Sequence, residues 1–196
     1  MSKVLYMDLD DTVKATDMYI HSYLKSNGYG DIRGSVYNLF FRENCSYLDQ
    51  VENILDNWDA IPLMDGAYNG LRLLATEYKI IFVSSYGSKV EATHKKHFAR
   101  IMNCGLILVE SFSSKSCVDM SNGVCVDDRL DILMTTNARA KYEMYNEYRY
   151  NLYPHSARSE VTVVSNWYSL VDQLMEETER VFKGYENLRR AICSGI

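Results

Sequence analysis

Five short, mostly apolar runs limit what this chain can fold into: Val4–Met7, Tyr78–Val83, Leu106–Val109, Gly123–Val126 and Val161–Val164. Each is too brief for a helix and apolar at consecutive positions, the pattern of a strand buried on both faces. The stretches between them carry a helical period. Asp65 is placed to cap a helix bearing Ala67, Leu71 and Leu74 on one face. Ser88 and Glu91 make a capping box for a helix running to about Arg100, and Leu170, Val171, Leu174 and Met175 form the apolar face of another. Strand alternating with helix predicts an α/β fold, a Rossmann-like parallel sheet covered on both faces.

One stretch breaks the alternation. From about Ala15 to Ile61 no buried strand can be read. Tyr19, Ile20, Tyr23 and Leu24 recur at helical spacing, and Leu48, Val51, Ile54, Leu55 and Trp58 lie along a second helical face. The expected organisation is a core of residues 1–15 and 62–196 with a small helical cap, residues 16–61, inserted after the first strand. An insertion at that place is well sited to act as a lid. Trp58 is expected to pack the cap helix.

Charge and composition narrow the partners. With 196 residues the chain can bury one good core. A net charge of −5 argues against a dedicated nucleic-acid binder, which usually shows a basic face. No apolar stretch approaches a membrane span and no leader pattern is seen, so a cytoplasmic protein without membrane contact is expected. The five cysteines, Cys45, Cys104, Cys117, Cys125 and Cys193, are scattered without metal-binding spacing and read as reduced thiols.

The chemistry sits where strands end. The first run stops at Asp8-Leu9-Asp10-Asp11-Thr12, the second at Ser84-Ser85, and the fourth at Asp127-Asp128-Arg129, with Lys115 in the loop before it. Parallel strands bring their carboxyl ends to one edge, so these groups should converge. Crowded carboxylates repel one another and lose hydration unless a cation sits among them, and Mg²⁺ prefers such oxygen ligands. Hydroxyls and a lysine suit phosphate oxygens, and a carboxylate can serve as nucleophile; together these are the parts of phosphoryl transfer.

The order of these motifs resembles the haloacid dehalogenase superfamily of aspartate-nucleophile phosphatases over nearly the whole chain. The resemblance implies that Asp8 attacks phosphorus and Asp10 protonates the leaving oxygen, then activates water. It also implies that Ser84 and Ser85 bind phosphate, that Lys115 neutralises the transferring group and holds Asp8, and that Asp8, Asp127 and the main-chain carbonyl of Asp10 ligate Mg²⁺, with Asp128 supporting the metal through water. Asp10 must be protonated at the moment of attack, so a raised pKa is expected of it.

Ile61-Pro62-Leu63-Met64-Asp65-Gly66-Ala67, Ser114-Lys115-Ser116, Asp127-Asp128-Arg129 and Val164-Ser165-Asn166-Trp167 further resemble the small 5'(3')-deoxyribonucleotidases. That implies a Mg²⁺-dependent 5'-nucleotidase acting on nucleoside monophosphates. Alternatives are a phosphatase of nucleic-acid 3'-ends or of another small phosphometabolite, and a non-catalytic binding module. The chain departs from the nucleotidase pattern at Asp11-Thr12, where Gly-Val is usual, at Thr16, where a base-stacking phenylalanine is usual, and at Ser84, where Thr is usual. A further family lysine has three candidates here, Lys89, Lys95 and Lys96. Tyr37, Phe40 and Phe41 are candidates for stacking on a base, or else cap core.

Other features read as structure. His94 and His97 beside Lys95 and Lys96 look like solvated helix surface, and Tyr142, Tyr145, Tyr148, Tyr150 and Tyr153 like packing and surface. Residues 176–196, with Arg189 and Arg190, exceed what a catalytic core needs and suit a packing helix or a homodimer contact.

Overall fold

The computed structural model describes residues 3–29, 47–148 and 158–176. Tyr37, Phe40, Phe41, Tyr150, Tyr153, Arg189 and Arg190 therefore lie outside the described residues. Six parallel strands form one sheet: β1 (Lys3–Met7), β2 (Tyr78–Ser85), β3 (Gly105–Val109), β4 (Gly123–Asp127), β5 (Ala140–Met144) and β6 (Thr162–Val164), in the order β3-β2-β1-β4-β5-β6. All five predicted runs are strands. The sixth, β5, went unread because Lys141 and Glu143 interrupt its apolar character. Glu143 is nonetheless buried, its carboxylate accepting from Arg158 at 2.7 and 3.0 Å. A paired charge can occupy an interior position that composition alone would assign to solvent.

Side-chain alternation along the strands divides the core in two. Leu5, Met7, Ile80, Phe82, Val124 and Val126 face one side, and Tyr6, Val83 and Cys125 the other. The larger cluster also takes in Ile20 and Leu24 of α1 (Thr16–Ser26), Val51, Ile54 and Leu55 of α2 (Leu48–Asp56), and Leu71 and Leu74 of α3 (Ala67–Leu74). It is completed by Trp58 from a short 3₁₀ turn, Trp58–Ala60, by Ala99 of α4 (Lys89–Ile101), and by Trp167, Leu170 and Leu174 of α6 (167–176). Leu130 and Leu133 of α5 (Leu130–Thr135) cover the smaller cluster. Among the described residues no helix is long and apolar enough to cross a membrane, and Cys104, Cys117 and Cys125 are free thiols.

Two caps show how local chemistry was and was not readable. Ser88 Oγ accepts from the Glu91 N–H at 3.1 Å, as its spacing predicts. Asp65 does not cap α3. Gly66 takes that place at φ +80°, a left-handed conformation open to glycine at little steric cost. The Trp167 indole lies over α3, where a Cβ at Gly70 would stand 2.5 Å from its Cε3 atom, and its N–H reaches the Thr12 carbonyl at 2.8 Å. Helix α6 thereby braces the loop that leaves β1.

That loop is the important place. From β1 the chain builds outward through β2 to β3, then returns to lay β4 on the other side of β1. The strand order reverses between β1 and β4, and such a switch point opens a crevice at the strands' carboxyl ends. Asp8 follows β1 and Asp127 ends β4.

Candidate active site

The Asp8 N–H donates to Val126 O at 2.9 Å, extending the β1–β4 ladder by one residue and setting the Asp8 side chain beside Asp127. Lys115, from a 3₁₀ segment spanning residues 112–117, is fully buried; its Nζ lies 2.8 Å from Asp8 Oδ2 and 2.8 Å from Asp127 Oδ2. Asp127 Oδ1 accepts the Arg129 N–H at 2.9 Å. Ligand oxygens of Asp8, Asp127 and Asp128 all lie within 4.8 Å of one another. Asp8 Oδ1 is buried there with no hydrogen-bond partner. A buried carboxylate oxygen left bare is costly, and three carboxylates around it form an oxygen-donor set suited to a hard divalent cation.

Two residues away, Asp10 is surrounded differently. Its Oδ1 accepts from the Trp58 indole N–H at 2.7 Å and the Thr16 hydroxyl at 2.9 Å, and its Oδ2 lies 2.5 Å from Lys95 Nζ. Lys95 is fully buried on α4. It also pairs with Glu91 at 2.6 Å and donates to the Ser85 carbonyl at 2.6 Å and Ser84 Oγ at 3.2 Å. The backbone turns directly after the second acid, at Asp11, which holds φ +56°, a conformation aspartate tolerates better than most residues. Asp11 Oδ1 accepts the Asp17 N–H at 2.6 Å, tying the start of α1 to this turn.

These surroundings separate the two acids electrostatically. Burial pushes the Asp8 carboxyl up to about 6; Lys115 opposes the shift while Asp127 and Asp10 add to it. Burial acts the same way on Asp10, but the Lys95 charge and hydrogen bonds from Lys95, Trp58 and Thr16 outweigh it and hold Asp10 below the usual carboxylate range. The sequence-based expectation of a raised Asp10 is therefore corrected, because it counted the neighbouring acids and missed the buried lysine. The ammonium groups respond in kind. Burial disfavours charge on Lys115 and Lys95, yet their flanking carboxylates raise both.

No protein-family model matches this chain, and no curated protein is similar enough to count as a relative. Solved structures do match in shape. A haloacid dehalogenase-like hydrolase from Burkholderia xenovorans aligns with a TM-score of 0.60 at 16% identity, over 90% of this chain and 98% of that one. A HAD hydrolase from Bacillus subtilis, solved bound to magnesium, aligns at 0.52 and 12% identity, over 88% and 98%. A HAD family hydrolase from Deinococcus radiodurans, with bound phosphate and sodium, aligns at 0.52 and 14% identity, over 89% and 96%.

The fold is that of the haloacid dehalogenase-like hydrolases.

On this haloacid dehalogenase-like scaffold the strand ends gather every catalytic, phosphate-binding and metal candidate chosen from sequence: Asp8, Asp10, Ser84, Ser85, Lys115, Asp127 and Asp128 are all less than a tenth exposed. The Asp10 carboxylate does not join the metal-type cluster, whereas Asp128 belongs to it together with Asp8 and Asp127. Of the three competing lysines, Lys89 and Lys96 are exposed and Lys95 is at the site. Reading Lys95 as helix surface was wrong. Its signal was present in the spacing of Glu91, Ala92, Lys95 and Ala99, one buried helical stripe with two charges paired inside it. Trp58 is buried in the larger core cluster, its ring against Phe98 of α4, and its indole N–H bonds Asp10, which spacing could not show. His94 does lie at the surface, where it pairs with Asp59 at 2.6 Å, and Tyr148 stacks on His21 at 4.1 Å.

Proposed function

We propose that this protein is a Mg²⁺-dependent hydrolase of phosphate monoesters that works through an aspartyl-phosphate, with nucleoside 5'-monophosphates as the preferred substrates. One observation carries the reading: the buried, unpartnered Asp8 Oδ1 stands among Asp127, Asp128 and Lys115, with a second acid, Asp10, two residues on. A dehalogenation needs a nucleophile but no acid for its halide; expelling an alkoxide needs a proton donor.

The residues divide the work as follows. Lys115 binds the Asp8 carboxylate at Oδ2 and leaves Oδ1 to the reaction. An Asp8 oxygen forms the bond to phosphorus as the ester P–O bond breaks, and the departing oxygen takes its proton from Asp10. Asp10, now a carboxylate, removes a proton from water, whose oxygen attacks the aspartyl-phosphate at phosphorus. Phosphate leaves and Asp8 is restored. Lys95 and Lys115 lie on the two sides of the phosphoryl site, with Ser84 and Ser85 as further donors. The anionic substrate raises the proton affinity of Asp10 as it binds, which prepares the acid that Lys95, Trp58 and Thr16 otherwise keep ionised. Asp8, Asp127 and Asp128 would hold Mg²⁺, with the main-chain carbonyl of Asp10 as a further ligand. When bound, the ion would offset the charge that otherwise repels an anionic nucleophile from an anionic phosphate.

The nucleotide preference rests on the four sequence resemblances to deoxyribonucleotidases. Residues 16–61 would serve as a cap that admits substrate to the site and covers it. Phosphate release from a panel of nucleoside, sugar and aryl monophosphates, with Mg²⁺ and with chelator, tests both parts. Mg²⁺-dependent turnover fastest on nucleoside monophosphates is expected. Turnover confined to sugar phosphates would overturn the substrate, and no turnover of any ester would overturn the hydrolase reading.

A further inference from the structure

We infer that Trp58 and Thr16 are positioning residues for Asp10: together they hold its Oδ1 and reserve Oδ2 for proton exchange with the leaving group. The inference rests on the hydrolase reading above and extends it to residues that the catalytic motifs do not contain.

A carboxyl group acting as general acid must present its proton at one oxygen in one direction. Asp10 Oδ1 receives two donors, the Trp58 N–H at 2.7 Å and the Thr16 O–H at 2.9 Å. The indole nitrogen is a donor only, so the Trp58 bond persists only while Oδ1 accepts, and the Thr16 hydroxyl supplies a second donor to the same oxygen. With two donors on Oδ1 and one, Lys95 Nζ, on Oδ2, the lone pair left to carry an Asp10 proton is on Oδ2, and Lys95 also bonds the phosphate-binding candidate Ser84. Losing either donor frees the carboxyl to rotate and to carry its proton on the wrong side.

Both donors belong to the segment between β1 and α3, so the acid is oriented by the insertion and not by the sheet alone. Trp58 is itself held tightly. Lys14 Nζ lies 4.7 Å from its ring centroid and donates to the Ile61 carbonyl at 2.6 Å. The Phe98 ring of α4 meets it edge-on at 5.6 Å. On either side of Trp58, Asp56 accepts from Ser88 Oγ and Asp59 pairs with His94, two further ties to α4. These ties to α4 fix the indole, and through its N–H they fix Asp10 Oδ1.

The experiment exploits leaving-group chemistry. A nitrophenolate departs without a proton near neutral pH, whereas the alkoxide of a nucleoside 5'-monophosphate needs one. Trp58→Phe keeps a ring against Phe98 and Lys14 but removes the N–H, and Thr16→Val removes the hydroxyl at nearly constant volume. Each variant, checked for an unchanged unfolding midpoint, is assayed on 4-nitrophenyl phosphate and on a nucleoside 5'-monophosphate with Mg²⁺ present. Leaving-group release is followed in the first turnover, ahead of the water step common to both esters: release from the nucleotide is expected to fall about 10- to 100-fold, within the range that general acid catalysis supplies, with KM and the first-turnover release of 4-nitrophenolate nearly unchanged. Equal losses on both esters, or none on either, in variants that fold would overturn the positioning role while leaving the hydrolase reading intact. A wild-type protein inactive on both esters and on every other ester of the panel overturns the hydrolase reading, and this role with it; with turnover confined to sugar phosphates, a sugar phosphate takes the nucleotide's place in the comparison. Should Trp58→Phe fail to fold, Thr16→Val decides the question by the same comparison.

Discussion

At the scale of single residues, the site consists of two aspartates two positions apart with opposite environments. Asp8 is raised to about 6 and Asp10 lowered, and the linkage to stability follows from those directions. Between the ordinary value of 3.8 and about 6 the folded protein holds a proton on Asp8 that the unfolded chain has released. The Asp8 contribution to metal-free stability therefore improves as pH falls from 7 through 6. The stabilisation from Asp10 is present above its unfolded pKa and is lost only at more acid pH. Without metal, the wild-type unfolding midpoint should be higher at pH 5.5 than at 7.5. In Asp8→Asn that difference should shrink, and catalysis should vanish with the fold intact; thermal unfolding in chelator and phosphate release check the two parts. Lys95 makes the complementary prediction. Lys95→Met leaves Asp10 and Glu91 as buried carboxylates without their cation, and removing one partner of a buried pair costs about 3–5 kcal/mol. Urea unfolding at pH 7 should show a loss of that order.

At the scale of elements, the β1–β4 pairing decides whether two distant motifs meet. Gly123 starts β4 opposite Val4, and a Cβ there would stand 2.6 Å from the Val4 carbonyl oxygen and 2.8 Å from the Tyr6 ring. Backbone cannot yield as a flexible side chain would. Gly123→Ala is expected to push the two strands apart at their amino ends, costing about 1–3 kcal/mol as overpacking does. It should also lower kcat, since Asp127 is carried four residues along the same strand. Urea unfolding together with phosphate release measures both effects. Helix α4 links the same edge to residues 56–59, bringing Lys95 to Asp10 on its buried face and Ser88 and His94 to Asp56 and Asp59 at its surface.

For the whole molecule, a divalent ion that binds only the folded site must stabilise it by mass action. At about 100 times its dissociation constant the ion adds about 2.7 kcal/mol, which for a chain of this size raises the midpoint by roughly 5–10 °C. Mg²⁺ should produce that rise in the wild type and little of it in Asp127→Asn, read by differential scanning fluorimetry at pH 7.5. The sheet makes such a site available because its order reverses between β1 and β4, so residues 8 and 127 of one chain face a common crevice.

Local pattern alone determined the strand runs, the alternation that makes the sheet parallel, the Ser88 cap and the acids and hydroxyls at strand ends, because periodicity, capping and motif spacing are properties of neighbouring residues. Tertiary structure decided the rest. The strand around Glu143 is apolar in effect only because Arg158 arrives to neutralise it, and Lys95 is interior only because Asp10 and Glu91 flank its ammonium. Trp58 becomes part of the site, and Asp10 stays ionised, through contacts between residues 48 and 85 positions apart. Each outcome turns on whether a buried polar group finds a partner, and that partner is chosen by the fold, not by the adjoining sequence.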